Sequence, residues 1–136
     1  MMRLWLGALL LFGSVASWGR AFVLQTIDGN TTLHMDITPL SCQIREYPSR
    51  IIMLDFFGAN CVPCIDEMPE LVRFQNTFAK TVQIIGIQSA SSRDDAAMRH
   101  FVRKHNINYP VVNLQEATEL IRYVQEQVGW NGVLPF

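Results

Sequence analysis

The 136-residue sequence predicts an α/β domain built around a parallel-cored sheet. Three observations carry that expectation. Two apolar runs, 51–57 and 82–88, are short and nearly continuous, as in strands buried on both faces. A helical repeat of apolar residues lies between them, and two more helical segments follow, separated by a short β-prone stretch. The order is then β-β followed by β-α-β-α-β-α, which suits parallel strands joined by right-handed crossovers.

Each element has a local reason. Residues 22–25 and 31–35 are β-prone and flank Asp28-Gly29-Asn30, the signature of a hairpin turn. The stretch 36–50 is mixed and polar, contains Pro39 and Pro48, and reads as a loop. Strand 51–57 is interrupted only by Asp55, and Gly58-Ala59-Asn60 then forms a turn. Ile65, Met68, Leu71, Val72 and Phe78 recur at spacings of three, four and seven, giving a helix to about Lys80 with a kink at Pro69. Phe74 and Phe78 on that helix are expected in the core or lining a groove. Ser91 and Ser92 precede Asp94 and Asp95 at capping-box spacing and open a helix to about His105. A strand over 109–113 contains Pro110, and a helix over 116–128 is ended by Gly129.

Composition narrows the function. Hydrophobic residues make up 49% and charged residues 17%, enough apolar material for one packed core. The net charge is −1 with both signs interleaved, and no basic stripe marks a nucleic-acid surface. Residues 1–19 stand apart: Arg3, an apolar run over 4–12, then Gly13, Ser14, Ala16 and Ser17. That layout is a signal peptide, with cleavage after Ala16 or Gly19, or else an uncleaved N-terminal anchor. Either reading exports the domain over 20–136.

Export changes the meaning of the three cysteines. Cys61 and Cys64 are too close for a structural staple but suit reversible redox chemistry, leaving Cys42 as a small buried side chain. A redox dithiol needs one easily deprotonated, exposed thiol and a second within reach. Cys61-Val62-Pro63-Cys64 meets both needs if Cys61 lies at a helix N-terminus, whose dipole favours a negative sulfur by about 0.3–1 kcal/mol. Half of a zinc site is the competing reading. It would require ligands from His34, His100, His105 and Cys42, and His100 and His105 do not share a helical face. Neither a metal nor another cofactor is therefore expected. Two carboxylates belong near the pair. Asp55 is expected to be buried, with a raised pKa, and to exchange a proton with Cys64, while Glu67 lies about one turn beyond Cys64.

The stretch from Leu54 through Cys61-Val62-Pro63-Cys64-Ile65-Asp66-Glu67-Met68-Pro69 resembles the TlpA/ResA-like branch of the thioredoxin superfamily, whose mark is CxxCxxExP after an apolar strand and an aromatic pair. Tyr109-Pro110-Val111-Val112 and Gly129-Trp130-Asn131-Gly132-Val133-Leu134-Pro135 resemble later segments of the same fold. The resemblance implies a thioredoxin-like fold, an attacking Cys61, a resolving Cys64, and a tuning Glu67. It also implies that Asp55 is the buried acid, that Pro135 is a cis-proline facing the dithiol, and that the Leu134 backbone pairs with substrate. Implied partners are protein disulfides, such as those of apocytochrome c, and a membrane electron-donor protein. The implied location is periplasmic, with anchoring to the inner membrane if the leader is retained.

Two features depart from the branch. Asn60 stands where it usually has Trp. The chain also ends at Phe136, one residue past Pro135, so two antiparallel strands and a final helix are expected to be lacking, as in a fragment of a longer protein. Val62 and Pro63 include no His to stabilise a strongly acidic thiolate, which favours a reductant. Two other functions compete. A thiol peroxidase would need a Pro-x-x-x-Thr/Ser segment that does not precede Cys61, and a copper chaperone would need a Met-rich or His-containing partner motif that does not accompany the pair.

Overall fold

The structure is a computed structural model and describes residues 19–136. The segment read as a signal peptide or anchor lies, apart from Gly19, outside the described residues. Among the described residues no helix is long and apolar enough to cross a membrane.

The hairpin is formed by β1 (Arg20–Gln25) and β2 (Thr32–Thr38), paired antiparallel from Arg20↔Ile37 to Gln25↔Thr32. Alternation along β1 buries Phe22 and Leu24 and exposes Val23. Gly29 takes φ 71°, a left-handed turn conformation that favours glycine. The expected loop over 36–50 instead contains β3 (Ser41–Ile44), which extends the hairpin to a three-stranded sheet. Thr38 makes this possible, because its hydroxyl accepts the N–H groups of Leu40 and Ser41 and closes a tight turn around Pro39.

The second sheet is parallel, in the order β4 (Ile51–Phe57), β5 (Val82–Gln88), β6 (Val111–Val112). The strand expected over 109–113 shrinks to two residues. Pro110 has no N–H to donate, and Asn113 is taken up as a helix cap. The two sheets are joined where the Ile27 N–H donates to the Val111 carbonyl at 2.9 Å.

Three helices cover the parallel sheet: α1 (Val62–Phe78), α2 (Asp95–Lys104) and α3 (Leu114–Val128). Helix α1 runs continuously through Pro69. The start of α2 is capped by Asp94, whose carboxylate accepts the Ala97 N–H at 2.7 Å, rather than by a serine. Ser91 is engaged elsewhere, through its backbone, by the Gln88 amide. Helix α3 begins at its Asn113 cap and ends, as expected, at Gly129 with φ 68°.

Strand alternation sorts the core into two halves. Phe56, Ile85, Ile87 and Val112 pack with the antiparallel sheet and α3. Phe57, Ile84 and Val111 pack against α1 and α2 with Cys64, Met68, Met98 and Phe101. Two residues from Phe57, Asp55 points to the same side as α1. Strand β4 is an edge of its sheet, with Ile51 and Met53 exposed, and Phe136 exchanges both backbone hydrogen bonds with Phe56 along that edge. Phe74 and Phe78 are not in the core: they are 38% and 44% exposed and pack on each other at 4.7 Å.

Candidate redox site

The site is assembled where β4 ends. Its turn closes when the Cys61 N–H donates to the Gly58 carbonyl at 3.0 Å. Cys61 is the N-cap of α1, with extended backbone (φ −85°, ψ 105°), and its Sγ accepts the Cys64 N–H at 3.3 Å. Val62 and Pro63 fill the first turn, where no acidic side chain opposes the positive end of the helix dipole. Cys61 and Cys64 are joined as a disulfide with their Cα atoms 5.3 Å apart. The two sulfurs are not equivalent. Cys64 is 1% exposed and packs in the core, while Cys61 is half-buried at the surface.

Asp55 is 5% exposed on the α1 side of β4. Burial, aided by the nearby negative charge of Glu67, pushes its carboxyl up to about 6; a hydrogen bond from Tyr109 acts in the opposite sense. The Tyr109 hydroxyl donates to Asp55 Oδ2 at 3.5 Å. Gly86 makes this approach possible. It pairs across from Asp55, and a Cβ on it would lie 3.3 Å from the Tyr109 ring and 3.2 Å from both Phe57 and Val111. The structure brings Asp55 and Glu67 close enough for their charges to interact, on the strand and the helix that flank the cysteine turn, and adds a Tyr109–Gly86 contribution absent from the sequence expectations. Its only sequence signal is a glycine in the interior of the strand over 82–88.

The Leu134–Pro135 peptide bond is cis. The Leu134 side chain reaches the start of the cysteine turn: a Cβ on Gly58 would lie 3.4 Å from Leu134 Cδ1, 3.4 Å from the Cys61 Cβ and 2.9 Å from the Ala90 Cβ. Trp130 holds this loop in place. Its indole N–H donates to the Val133 carbonyl at 2.8 Å, and its ring stacks on Phe136 and packs against Phe56.

Cys42 lies apart on β3, partly buried, and burial pushes its thiol up to about 11. Among the described residues, no group of three or more His, Cys, Asp or Glu is placed to hold a metal ion. His100 and His105, expected on different faces, nevertheless border one cavity, because His105 is the C-cap of α2 and has left helical geometry.

Comparison with known proteins agrees with this geometry. The model of the AhpC/TSA family matches residues 29–123. The thiol-disulfide oxidoreductase ResA of Halalkalibacterium halodurans is 25% identical over 92 residues, covering 67% of this chain and 46% of that protein. NHL repeat-containing protein 2 of Bos taurus is 31% identical over 79 residues, covering 54% of this chain and 11% of that protein. The chain thus spans about half the length of the ResA relative and a much smaller part of the other. Among solved structures, the thioredoxin domain of a thiol-disulfide oxidoreductase from Bacteroides vulgatus superposes with a TM-score of 0.58 at 19% identity, covering 85% of this chain and 73% of that one. The fold is thioredoxin-like, and the ResA relative bears out the likeness to the TlpA/ResA-like branch. With the family model matching well over half of its length, the chain belongs to the AhpC/TSA family.

Proposed function

We propose that the chain is an exported thiol–disulfide oxidoreductase that reduces protein disulfides, such as those of apocytochrome c, through Cys61 and Cys64. The observation that carries this reading is the asymmetry of the pair: an accessible sulfur at a helix N-cap and a buried one beside it, with a buried carboxyl on the strand beneath. In the reduced protein the Cys61 thiolate attacks one sulfur of the substrate disulfide, forming a Cys61–substrate bond and expelling the other substrate sulfur as a thiolate. Cys64 then loses its proton to Asp55 and attacks the Cys61 sulfur. That step closes the Cys61–Cys64 disulfide and releases the second substrate thiolate, so two electrons pass from protein to substrate. A membrane electron-donor protein returns them. Glu67 tunes the pair by keeping the Asp55 carboxyl a stronger base, and the Leu134 backbone aligns an extended substrate segment.

Trapping tests this. Cys64→Ser removes the resolving sulfur, and the expected product in cells is a substrate protein held by a mixed disulfide on Cys61. Adducts confined to Cys42, or none at all, would sink the reading. The direction of electron flow has its own measurement: a potential near that of strong oxidants, about −120 mV, would overturn the reductant role.

A further inference from the structure

The turn before Cys61 is also one wall of a cavity of about 510 Å³ that the dithiol chemistry does not use. Its apolar surface comes from Ala59, Ile65 and the buried Phe101. Four nitrogen bases complete it: Arg93, His100, Lys104 and His105. We propose that this cavity is a subsite for an acidic side chain flanking the disulfide of the protein substrate, an inference that rests on the oxidoreductase reading above.

Position is the first support. Ala59 and Asn60 immediately precede Cys61 and Ile65 follows it by about one turn, so a polypeptide bonded to the Cys61 sulfur passes the mouth of the cavity. Charge is the second. Arg93 and Lys104 are cations at neutral pH, and no carboxylate lines the cavity. Asp94 and Asp95, beside Arg93, are engaged with the Ala97 N–H and the Asn113 amide, and Asp66, beside Ile65, is exposed and lies outside the lining. Among the described residues, the side chains of Lys104 and His100 make no ion pair or hydrogen bond, so both remain available to a ligand. Preorganisation is the third. Arg93 donates to Asn60 Oδ1 at 2.5 Å, tying one cation to the residue beside Cys61, and the His105 ring is packed on Phe101 at 4.4 Å. Burial and the neighbouring Lys104 hold the His105 imidazole below its ordinary pKa, so near pH 7 it serves as a neutral hydrogen-bonding group. Cations held over an apolar surface attract a carboxylate more strongly than cations in open water.

The test offers the reduced protein three peptides, each with one internal disulfide, that differ only in a flanking Glu, Gln or Lys. At low ionic strength the Glu peptide is expected to be reduced about tenfold faster than the Lys peptide, with the ratio shrinking as salt rises. Lys104→Glu is expected to reverse that order. Equal rates for all three peptides with the parent protein would overturn the subsite. A second measurement needs no redox step: the same peptides with Ser in place of Cys are titrated against the oxidised protein, followed by backbone amide shifts. Shifts at Asn60, Lys104 and His105 with the Glu peptide but not the Lys peptide support the subsite, and their absence overturns it whether or not the dithiol turns over. Shifts caused instead by phosphatidylserine vesicles alone would overturn it in favour of an anionic membrane surface. Shifts with the Glu peptide but no reduction of any peptide would remove the oxidoreductase reading and leave an acidic-segment site standing.

Discussion

Replacing Asp55 by Asn should stabilise the protein and slow it at the same time. Burial raises the carboxyl from 3.8 to about 6, so the folded state holds this proton more tightly than the unfolded chain does. Below pH 3.8 the group is protonated in both states and no penalty exists. As pH rises towards 6 the unfolded chain ionises first and stability falls; above about 6 both states are ionised and the full penalty is present. A shift of about two units at about 1.36 kcal/mol each sets that penalty near 3 kcal/mol at most. Asparagine keeps the shape and cannot ionise. Asp55→Asn is therefore expected to gain nothing at pH 3 and up to about 3 kcal/mol at pH 8. Urea unfolding of the oxidised protein across this range reads the difference as a moving midpoint at constant slope. In the same variant the lifetime of the Cys61 mixed disulfide should lengthen about a hundredfold, the lower end of what a positioned proton acceptor contributes. A stability difference that does not change with pH would refute the buried-carboxyl account, and an unchanged mixed-disulfide lifetime would refute its role in resolution.

Three further outcomes are expected. Glu67→Gln removes a charge that raises the Asp55 pKa in the folded state, so the pH at which stability stops falling should move down and the total loss should shrink, and the midpoint of the resolution rate should move down as well; a pH profile of each reads both. Gly86→Ala places a methyl 3.2–3.3 Å from Phe57, Val111 and Tyr109, and should cost about 1–3 kcal/mol in denaturant unfolding while loosening the Tyr109 contact to Asp55. Cys42, with its thiol raised to about 11, should be roughly one part in a thousand thiolate at pH 8. Brief alkylation of the reduced protein followed by mass mapping should then label Cys61 well before Cys42, and equal labelling would contradict the burial seen here.

What the sequence made legible follows from how local each signal is. Strands buried on both faces announce themselves as apolar runs, and β4 and β5 fall on the expected residues. Asp55 was visible for the same reason, as one polar residue in such a run. β3 was missed because its alternation covers only four residues beside a proline turn. Helical spacing placed Phe74 and Phe78 on one face correctly, but spacing cannot say whether anything covers that face, and here they are exposed. The Tyr109 contact joins residues 54 positions apart and depends on the absence of a side chain at Gly86, so no short window contains it. The cationic cavity escaped similarly, because Lys104 and His105 read alone as an ordinary solvated helix end.

The arrangement around the dithiol traces back to three consecutive residues of β4. Alternation turns Asp55 and Phe57 towards α1 and Phe56 towards α3. Phe56 also gives its outer backbone edge to Phe136 and its ring to Trp130, and these two contacts seat the Leu134–Pro135 loop. The chain leaves β4 at Gly58 straight into the cysteine turn, so disulfide, carboxyl and proline loop converge at the carboxyl end of one strand, where open α/β sheets place their sites. A slip of one residue in β4 would aim Asp55 at the opposite core and draw Phe136 away from its partner. The register with β5, Asp55 against Gly86, is thus as much a part of the site as the cysteines: it is the pairing that leaves room for the Tyr109 hydroxyl to reach the carboxyl.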